Sequence, residues 1–440
     1  MIRAAAVLAL ALALAPSQPA KPAGPGSWPT GRVLTHREQA PLVKGWIQKR
    51  FATVLPALMQ REKIDMWIIV SREYNDDPVF RSMAPLTTYS SRRRTILVFH
   101  ENAGKVEALS IGRFDYDGLY KVVPTANDGQ WEGLRKLVEE RNPRAIGINT
   151  SEAWNHADGL SANEKEQLMK ALGPFASRTR SAEMLAVGWL ETKLPEETEA
   201  YRHAMKVAHG VIAEAFSSAV VKPGVTTSED VVWWMRQRVA EMGLGQWFHP
   251  SITIHRKGGP PAGTAPDARV IQRGDMLHTD FGITYLGFST DTQHNAYVLQ
   301  AGETDAPAGL KAGLAAANRL QDLTMKYAAV GTTGNAALAA ALRDAKAEGL
   351  IASIYCHPVG YHGHAAGPPI GMTDYQHGVP VRGDYVFRPD TWHSIELNVR
   401  HPVPEWDNQS VMFALEEDAA LLAKGWDWID GRQTTLYLIK

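Results

Sequence analysis

The sequence predicts an α/β protein with two domains. Its 440 residues, 45% of them hydrophobic, exceed the roughly 250–300 residues at which one hydrophobic core stops growing. Short apolar strands alternate with helical stretches up to about residue 180, which predicts a smaller α/β domain over residues 30–185. A longer mixture of helices and strands follows and predicts a larger domain over residues 190–440.

The first residues have the pattern of an export signal. Met1-Ile2-Arg3 supplies a positive charge, and the run from Ala4 to Ala15 is apolar and ends in small residues. This run is shorter than the roughly 20 residues that span a bilayer, so a cleaved signal over residues 1–20 is favoured over an uncleaved anchor. A linker rich in Pro, Ala and Gly follows over residues 21–29. We therefore expect an exported, periplasmic protein.

Charge and cysteine content limit the partners and the covalent bonds of the chain. Lys and Arg number 46 against 47 Asp and Glu, and a formal charge of −1 gives no net field that would attract nucleic acid or anionic lipid. No stretch after the export signal is apolar enough for a membrane helix. The single cysteine, Cys356, excludes an intrachain disulfide, and we expect it to be a small core residue.

Apolar periodicity predicts the individual elements. In the smaller domain, strands are expected at Met66–Val70 and Ile96–Phe99, and a helix at Gly129–Glu140. The larger domain is expected to open with a helix from Pro195 to about Val221, followed by a second helix capped by Thr226 and Glu229. Further strands are predicted at Ser251–His255, Met276–Ile283 and Gly287–Leu299, with a helix pair over Ala308–Gly349 and strands after it.

Two aspartates on neighbouring strands are the first sign of a chemical site. Asp280 and Asp291 lie on either side of a predicted tight turn near Leu286 and Gly287, which places them opposite one another on one sheet face. Two adjacent carboxylates repel each other unless a cation lies between them. Taken alone, the pair could equally be the surface acids of a solvated hairpin.

Further residues of metal-binding type follow the two aspartates. His357 precedes a Pro-Val-Gly sequence, Glu396 lies between apolar residues, and Glu416 and Glu417 directly follow Leu415. Either of the two consecutive glutamates could complete the set. Four carboxylates and one imidazole suit a pair of divalent cations such as manganese, cobalt or zinc.

The order of these residues resembles that of the pita-bread metallopeptidases, which include methionine aminopeptidase, aminopeptidase P, prolidase and the non-peptidase creatinase. The spacing of eleven between the two aspartates, the glycine at Gly274, and His364 seven residues after His357 all match the family pattern. The resemblance covers the chain from about Thr192 onward. It implies an α/β protein with a pita-bread catalytic domain, preceded by a smaller creatinase-like α/β amino-terminal domain.

The resemblance also implies a site and a reaction. Asp280, Asp291, His357, Glu396 and Glu416 would bind two divalent metal ions, with manganese expected ahead of cobalt or zinc and Glu417 as the alternative last ligand. A metal-bridging hydroxide would attack the substrate, with Glu396 as general base and His364 as a hydrogen-bond donor; His362 is a weaker candidate for that donor. The implied enzyme is an Xaa-Pro aminopeptidase or prolidase-like peptidase that cleaves short peptides, and a homodimer is expected.

Three positions depart from the family pattern. A histidine of the peptidases is replaced at Ala262 or Gly263, an arginine of the prolidase branch at Ala414, and a histidine of the proline-specific enzymes at Ser353. Either another group such as His249 or His255 substitutes, or the substrate is a small non-peptide molecule that a hydrolase or lyase of the same fold converts. A non-catalytic binding module would be expected to have lost ligands, whereas all five positions are filled here.

Overall fold

A computed structural model describes residues 32–125, 129–260 and 269–440. The export signal and the linker predicted over residues 1–29 therefore lie outside the described residues. Among the residues that are described, no helix combines the length and the apolar character needed to cross a membrane.

Eight α-helices and nineteen strands occur in the described residues, with short 3₁₀ turns between them. The helices are α1 (His36–Glu62), α2 (Gln130–Arg141), α3 (Ala162–Leu172), α4 (Glu183–Glu191), α5 (Pro195–Ala215), α6 (Ser228–Glu241), α7 (Ala308–Tyr327) and α8 (Gly334–Ala347). The strands before α5 are β1 (Met66–Arg72), β2 (Arg94–Asn102), β3 (Lys105–Ile111), β4 (Lys121–Val123), β5 (Ile146–Ile148) and β6 (Thr179–Ser181). The strands after α6 are β7 (Ser251–His255), β8 (Met276–Phe281), β9 (Thr284–Tyr285), β10 (Phe288–Ser289), β11 (Thr292–Val298), β12 (Ile351–Ile354), β13 (His357–Pro358), β14 (Thr391–Ser394), β15 (Leu397–Val403), β16 (Gln409–Leu415), β17 (Asp418–Leu422), β18 (Gly425–Trp428) and β19 (Tyr437–Ile439).

The amino-terminal part is built on one mixed sheet in the order β4-β3-β2-β1-β5-β6. Its central strand β1 is apolar on both faces, and both faces are covered. Met66 and Ile68 pack with α2 and α3, whereas Trp67 and Ile69 pack with α1 and α4. A strand whose two faces are both buried is a continuous apolar run in the sequence, and this run predicts β1 clearly.

Three further sheets of three or four strands lie in the larger, carboxyl-terminal part, in the orders β19-β11-β8-β7, β12-β15-β16 and β13-β14-β17-β18, together with the two-stranded sheet β10-β9. Helices α5 and α6 pack on β8 and β7, while α7 packs on β15 and β16 and α8 packs on β12. Cys356 is fully buried in the core beneath α7 and α8, as expected. The six-stranded sheet lies within the range predicted for the first domain and these three within the second, although the domain boundaries themselves stay a prediction.

The hairpin that carries the two aspartates differs from the prediction in its register. The turn does fall at Leu286 and Gly287, whose φ angles of 57° and 82° suit a two-residue hairpin between β9 and β10. However, Asp280 pairs with Gln293 and not with Asp291, which lies just before β11 begins. The prediction of directly opposed aspartates was wrong because the short β9-β10 hairpin is separate from the β8-β11 ladder.

Two helix boundaries also differ from the sequence prediction. Helix α5 ends at Ala215 and not near Val221, because Ser217 begins a turn and its hydroxyl accepts a hydrogen bond from the backbone N–H of Ala219. The capping box of α6 is formed by Thr227 and Asp230. The predicted cap, Thr226, instead closes the preceding turn by accepting from the backbone N–H of Lys222 at 2.8 Å.

A buried ion pair joins the amino-terminal helix to the start of the larger part. Arg50 of α1 and Glu197 of α5 are both fully buried, with Nη1 and Oε2 3.1 Å apart. The same guanidinium donates to the backbone carbonyls of Trp189 in α4 and of Thr192 immediately after it. The other carboxylate oxygen of Glu197 accepts from the hydroxyl of Tyr361 at 3.2 Å. One charged pair therefore fixes three separate parts of the chain.

Replacing Glu197 with glutamine should lower the free energy of unfolding by about 3 to 5 kcal/mol, because it leaves the charge of Arg50 buried without a counter-charge. Denaturant unfolding of the two proteins measures the difference. The neighbouring substitution Glu196→Gln is the matched control. It removes a half-exposed ion pair with Lys49 and should cost less than about 1 kcal/mol. Equal losses in both variants would contradict a special role for the buried pair.

Candidate metal centre

The five residues predicted as metal ligands converge at one place, where strands of the three carboxyl-terminal sheets meet. Each lies within a strand or directly beside one, so the sheet backbones set their positions. They are Asp280 in β8, Asp291 immediately before β11, His357 in β13, Glu396 between β14 and β15, and Glu416 immediately after β16.

The side chains form two overlapping groups with the spacing of a cation site. Potential ligand atoms of Asp280, Asp291 and Glu416 all lie within 4.8 Å of one another, and so do those of His357, Glu396 and Glu416. Nε2 of His357 is 3.2 Å from Glu416, 3.5 Å from Asp291 and 3.8 Å from Glu396. Glu416 belongs to both groups, so this arrangement can hold two cations that share one carboxylate.

The electrostatics of the cluster favour bound cations. Within the described part of the chain, Oδ1 of Asp280 and Oδ1 of Asp291 are buried and have no hydrogen-bond partner. Burial, reinforced by the charge of Glu416, raises the pKa of Asp280 to about 8 and the pKa of Asp291 well above its usual value. Buried carboxylates that lack donors need positive charge to remain ionised, and divalent cations supply it. The donor set therefore fits a dinuclear metal site.

His357 presents the nitrogen that a metal requires. Its Nδ1 lies 3.0 Å from the backbone carbonyl oxygen of Pro358, to which the Nδ1–H donates. The lone pair of Nε2 then faces the carboxylates. A ring whose second nitrogen donates to a carbonyl group is the usual arrangement of a metal-binding histidine.

Comparison with known proteins identifies the family. The sequence model of metallopeptidase family M24 matches residues 199–420, just over half of the chain. The chain belongs to metallopeptidase family M24. No curated protein sequence matches it.

Solved structures confirm the fold of this M24 chain. It is similar to an X-Pro aminopeptidase from Thermotoga maritima, with a TM-score of 0.64, 17% identity, and coverage of 86% of this chain and 99% of the other. An Xaa-Pro dipeptidase from Bacillus anthracis gives a TM-score of 0.59 at 18% identity, covering 91% of this chain and 99% of the other. A prolidase from Pyrococcus horikoshii gives 0.58 at 16% identity, covering 87% and 99%. The predicted pita-bread fold with a preceding amino-terminal α/β region is confirmed.

The structure separates the two consecutive glutamates that the sequence left as alternatives. Glu416 faces the carboxylate cluster, where its Oε1 accepts from the hydroxyl of Ser394 at 2.7 Å. Glu417 faces the other way, because successive residues of an extended chain point to opposite sides. Its oxygens lie 2.9 Å from Nε2 of His209 and 2.5 Å from Nε2 of His294. The geometry therefore places Glu416, and not Glu417, among the candidate ligands.

The contacts of Glu417 form a second polar network behind the metal centre. Nδ1 of His209 lies 3.0 Å from Asp430, and the rings of His209 and His294 stack with centroids 5.0 Å apart. All three contacts of this network, at 2.5–3.0 Å, have hydrogen-bond distances, whereas His357 stands 3.5 Å from Asp291 and 3.8 Å from Glu396. This network is therefore an ion-pair cluster that joins α5 to β11 and to the segment after β18.

His364 and His362 have different surroundings. The side chain of His364 is exposed, and its ring centroid lies 4.6 Å from that of His357, so it borders the candidate centre on the solvent side. His362 turns away towards His156 of the amino-terminal part, with ring centroids 4.8 Å apart. His156 also hydrogen-bonds to the backbone of His364. The amino-terminal part thus helps to hold the loop that carries His364.

One departure from the family pattern is the histidine replaced at Ala262 or Gly263, for which His249 and His255 were the suggested substitutes. Ala262 and Gly263 lie outside the described residues. Of the two suggested substitutes, His249 is exposed and contacts Trp233 and Arg236, while His255 is buried at the end of β7 with its pKa lowered to about 4 by burial. No described contact joins either histidine to the five candidate ligands.

Sequence reasoning overlooked several residues that hold the candidate ligands in place. Gln293 donates to two of the glutamates, and the carboxylate of Asp418 accepts from the hydroxyl of Tyr201 at 2.7 Å and from the backbone N–H of Asp291 at 3.1 Å. Strand alternation places Gln293 on the same face as Asp291, two residues earlier, but the sequence does not reveal its two glutamate partners.

Replacing His209 with glutamine should lower the free energy of unfolding by about 3 kcal/mol near pH 6, because the substitution breaks a buried ion pair. Although burial opposes it, the charges of Glu417 and Asp430 raise the pKa of His209 to about 10. The stabilisation is therefore complete below the ordinary histidine pKa of about 6.5 and is lost as the pH rises through about 10. Denaturant unfolding at pH values between about 6.5 and about 10 should show that the difference in the free energy of unfolding between the two proteins decreases as the pH rises.

In the described part of the chain, the groups that contact His209 are Glu417, Asp430 and the ring of His294. Lys206→Gln, which removes a charge from the exposed side of the same helix, is the matched control and should change stability by less than about 0.5 kcal/mol. A deficit in His209→Gln that stayed constant or grew with pH would refute the ion-pair assignment.

Proposed function

We propose that this chain binds two divalent cations through Asp280, Asp291, His357, Glu396 and Glu416 and hydrolyses short peptides with them. The observation that carries the proposal is the pair of ligand groups that share Glu416, together with buried aspartate oxygens that lack donors. Bound cations would lower the pKa of a water molecule and polarise the carbonyl group of the substrate. Manganese is the expected metal, with cobalt and zinc as the alternatives to compare.

Two residues of the chain are proposed to act on the substrate. The side chain of Glu396 keeps 21% of its surface exposed while that of Glu416 keeps 1%, so Glu396 can reach a substrate and accept a proton. His364 is exposed beside His357 and is proposed to donate a hydrogen bond to the carbonyl oxygen as negative charge develops on it.

We propose peptides with proline in the second position as the substrate class. The support is the similarity in fold to an X-Pro aminopeptidase, an Xaa-Pro dipeptidase and a prolidase over nearly their whole length. The second candidate is a small non-peptide substrate, which the replaced residues at Ala262 or Gly263, Ala414 and Ser353 favour. Ala414 lies in β16, and its methyl side chain offers no polar group to a substrate.

The test is a peptide panel assayed with defined metals. The purified protein is stripped of metal, reloaded with manganese, cobalt or zinc, and offered Xaa-Pro and Xaa-Ala dipeptides and longer peptides. Metal-dependent cleavage confined to Xaa-Pro peptides is the expected result. No cleavage of any peptide, with two equivalents of metal bound, would reject the peptidase proposal and leave the non-peptide substrate. No bound metal at all would reject the proposed two-cation site.

Glu416→Gln should reduce metal binding by at least about 100-fold and abolish hydrolysis, since a shared ligand is lost from both groups. The matched control is Glu417→Gln, which changes the adjacent residue on the opposite side of the same strand end. It should retain two equivalents of metal while lowering the melting temperature, because Glu417 binds histidines of the second network. Elemental analysis and thermal unfolding of both variants check this. The reverse pattern would assign the ligand to Glu417.

Export and assembly complete the proposal. We propose that the protein acts in the periplasm after cleavage near residue 20, because residues 1–15 have the composition of an export signal. A mass measurement on protein from a periplasmic extract tests this, and an intact Met1 would contradict it. We also propose a homodimer, which a single monomeric peak in light scattering would refute.

A further inference from the structure

Gln293 holds a position inside the carboxylate cluster that is fixed from two sides. It pairs with Asp280 across the β8-β11 ladder. On its other side, its backbone exchanges two hydrogen bonds with the backbone of Glu416, at 3.1 and 3.2 Å. The residue keeps only 5% of its surface exposed. Its side chain is therefore confined to the interior of the centre.

The amide of Gln293 contacts two candidate ligands at once. Nε2 lies 2.7 Å from Oε1 of Glu396 and 2.8 Å from Oε2 of Glu416. Ionised carboxylates only accept hydrogen bonds, and an amide nitrogen has two hydrogens, so each glutamate receives one. The two glutamates lie beside different strands of one sheet, Glu396 before β15 and Glu416 after β16, and the amide fixes the distance between their carboxylates.

A histidine determines which way the amide faces. Oε1 of Gln293 lies 2.9 Å from Nε2 of His278, a buried residue two positions before Asp280 on β8. With the Nε2–H of His278 donating to the amide oxygen, the amide nitrogen must face the glutamates. In the opposite orientation, the amide oxygen of Gln293 would face the two carboxylates and its NH2 group would face the N–H of His278. Acceptors would then face acceptors and donors would face donors, which leaves buried groups unsatisfied.

The contacts leave a defined set of oxygens for cations. Oε1 of Glu396 is bound by Gln293, and its Oε2 is the oxygen that faces His357, at 3.8 Å. Oε1 of Glu416 faces the same ring at 3.2 Å and accepts from the hydroxyl of Ser394, while its Oε2 is bound by Gln293. A carboxylate oxygen can accept about two contacts, so Oε1 can still bind a cation. The amide therefore fixes the rotation of both carboxylates about their bonds, as outer hydrogen-bond partners of metal ligands do.

We propose that Gln293, oriented by His278, is a positioning residue that aligns Glu396 and Glu416 for cation binding. The inference rests on the proposed metal binding and is independent of the substrate. The proposal gives Gln293 and His278 a role in cation binding although neither would be a ligand. A donor that carries no charge can hold both carboxylates without competing for the place of a cation, which a lysine or an arginine would do.

The experiment measures cation binding directly. Metal-free protein is titrated with Co²⁺, and the affinity is measured by calorimetry while visible absorption reports the coordination geometry. Gln293→Met, which keeps the volume and removes both hydrogen bonds, should weaken binding of at least one cation by about 10- to 100-fold and change the absorption spectrum. Gln433→Met is the matched control. It removes a buried amide that, among the described residues, bonds to the backbone of Asn295 alone, so stability should fall while affinity and spectrum stay unchanged.

Variants of His278 test the orientation step. His278→Phe should weaken cation binding in the same direction, His278→Gln should restore part of it by keeping a donor, and His278→Phe should cause no further loss in a Gln293→Met protein. If Gln293→Met fails to fold, the comparison of His278→Phe with His278→Gln decides. Equal cation affinities of these two variants would overturn the proposal. Binding by Gln293→Met with the affinity and spectrum of the unaltered protein would overturn it as well. If the unaltered protein binds no cation, the proposed function fails together with this inference.

Discussion

Four carboxylates held in a small, largely buried space are the constraint on which the rest of this structure depends. At about 4 Å and an effective dielectric constant near 20, each pair of like charges repels by roughly 4 kcal/mol. The side chains of Asp280, Asp291, Glu396 and Glu416 nonetheless lie close together, because strands of three different sheets end at the same point. The apolar cores under α5 and α7 hold those sheets in place, and so they maintain an arrangement that the charges alone would disperse.

The negative charges of Glu416 and Glu417, which follow β16 and face opposite sides, are compensated in two different ways. On the side of Glu416, neutral donors from Gln293 and Ser394 each bind one of its oxygens, and among the described residues Oδ1 of Asp280 and Oδ1 of Asp291 have no donor. On the side of Glu417, two histidines supply the compensation from within the protein. The contrast in spacing between the two clusters follows from this difference. Cations need room between their ligands, whereas hydrogen-bonded partners approach until they touch.

Residues with local or family-specific signals could be predicted from the sequence, and residues defined by distant partners could not. The five candidate ligands were found because they match a family pattern in order and spacing, and β1 because its apolar run is uninterrupted. Glu416 and Glu417 could not be separated, since only the fold shows which one faces the cluster. Gln293 was missed because an amide is not a typical metal ligand and its partners Glu396 and Glu416 lie 103 and 123 residues away. The register of Asp280 depended on a second, shorter hairpin that the apolar pattern did not reveal.

The pairing of β19 with β11 has a consequence for the order of events in biosynthesis. Strand β11 follows Asp291 and contains Gln293, and its outer edge is completed in parallel by residues 437–439. Gln433 binds both backbone groups of Asn295 in the same strand. A ribosome releases the aspartates about 150 residues before these last contacts can form, and pairings between such distant segments form slowly. The nascent chain therefore carries its acidic residues before the strands around them are fully paired, and the proposed binding of cations would follow this pairing.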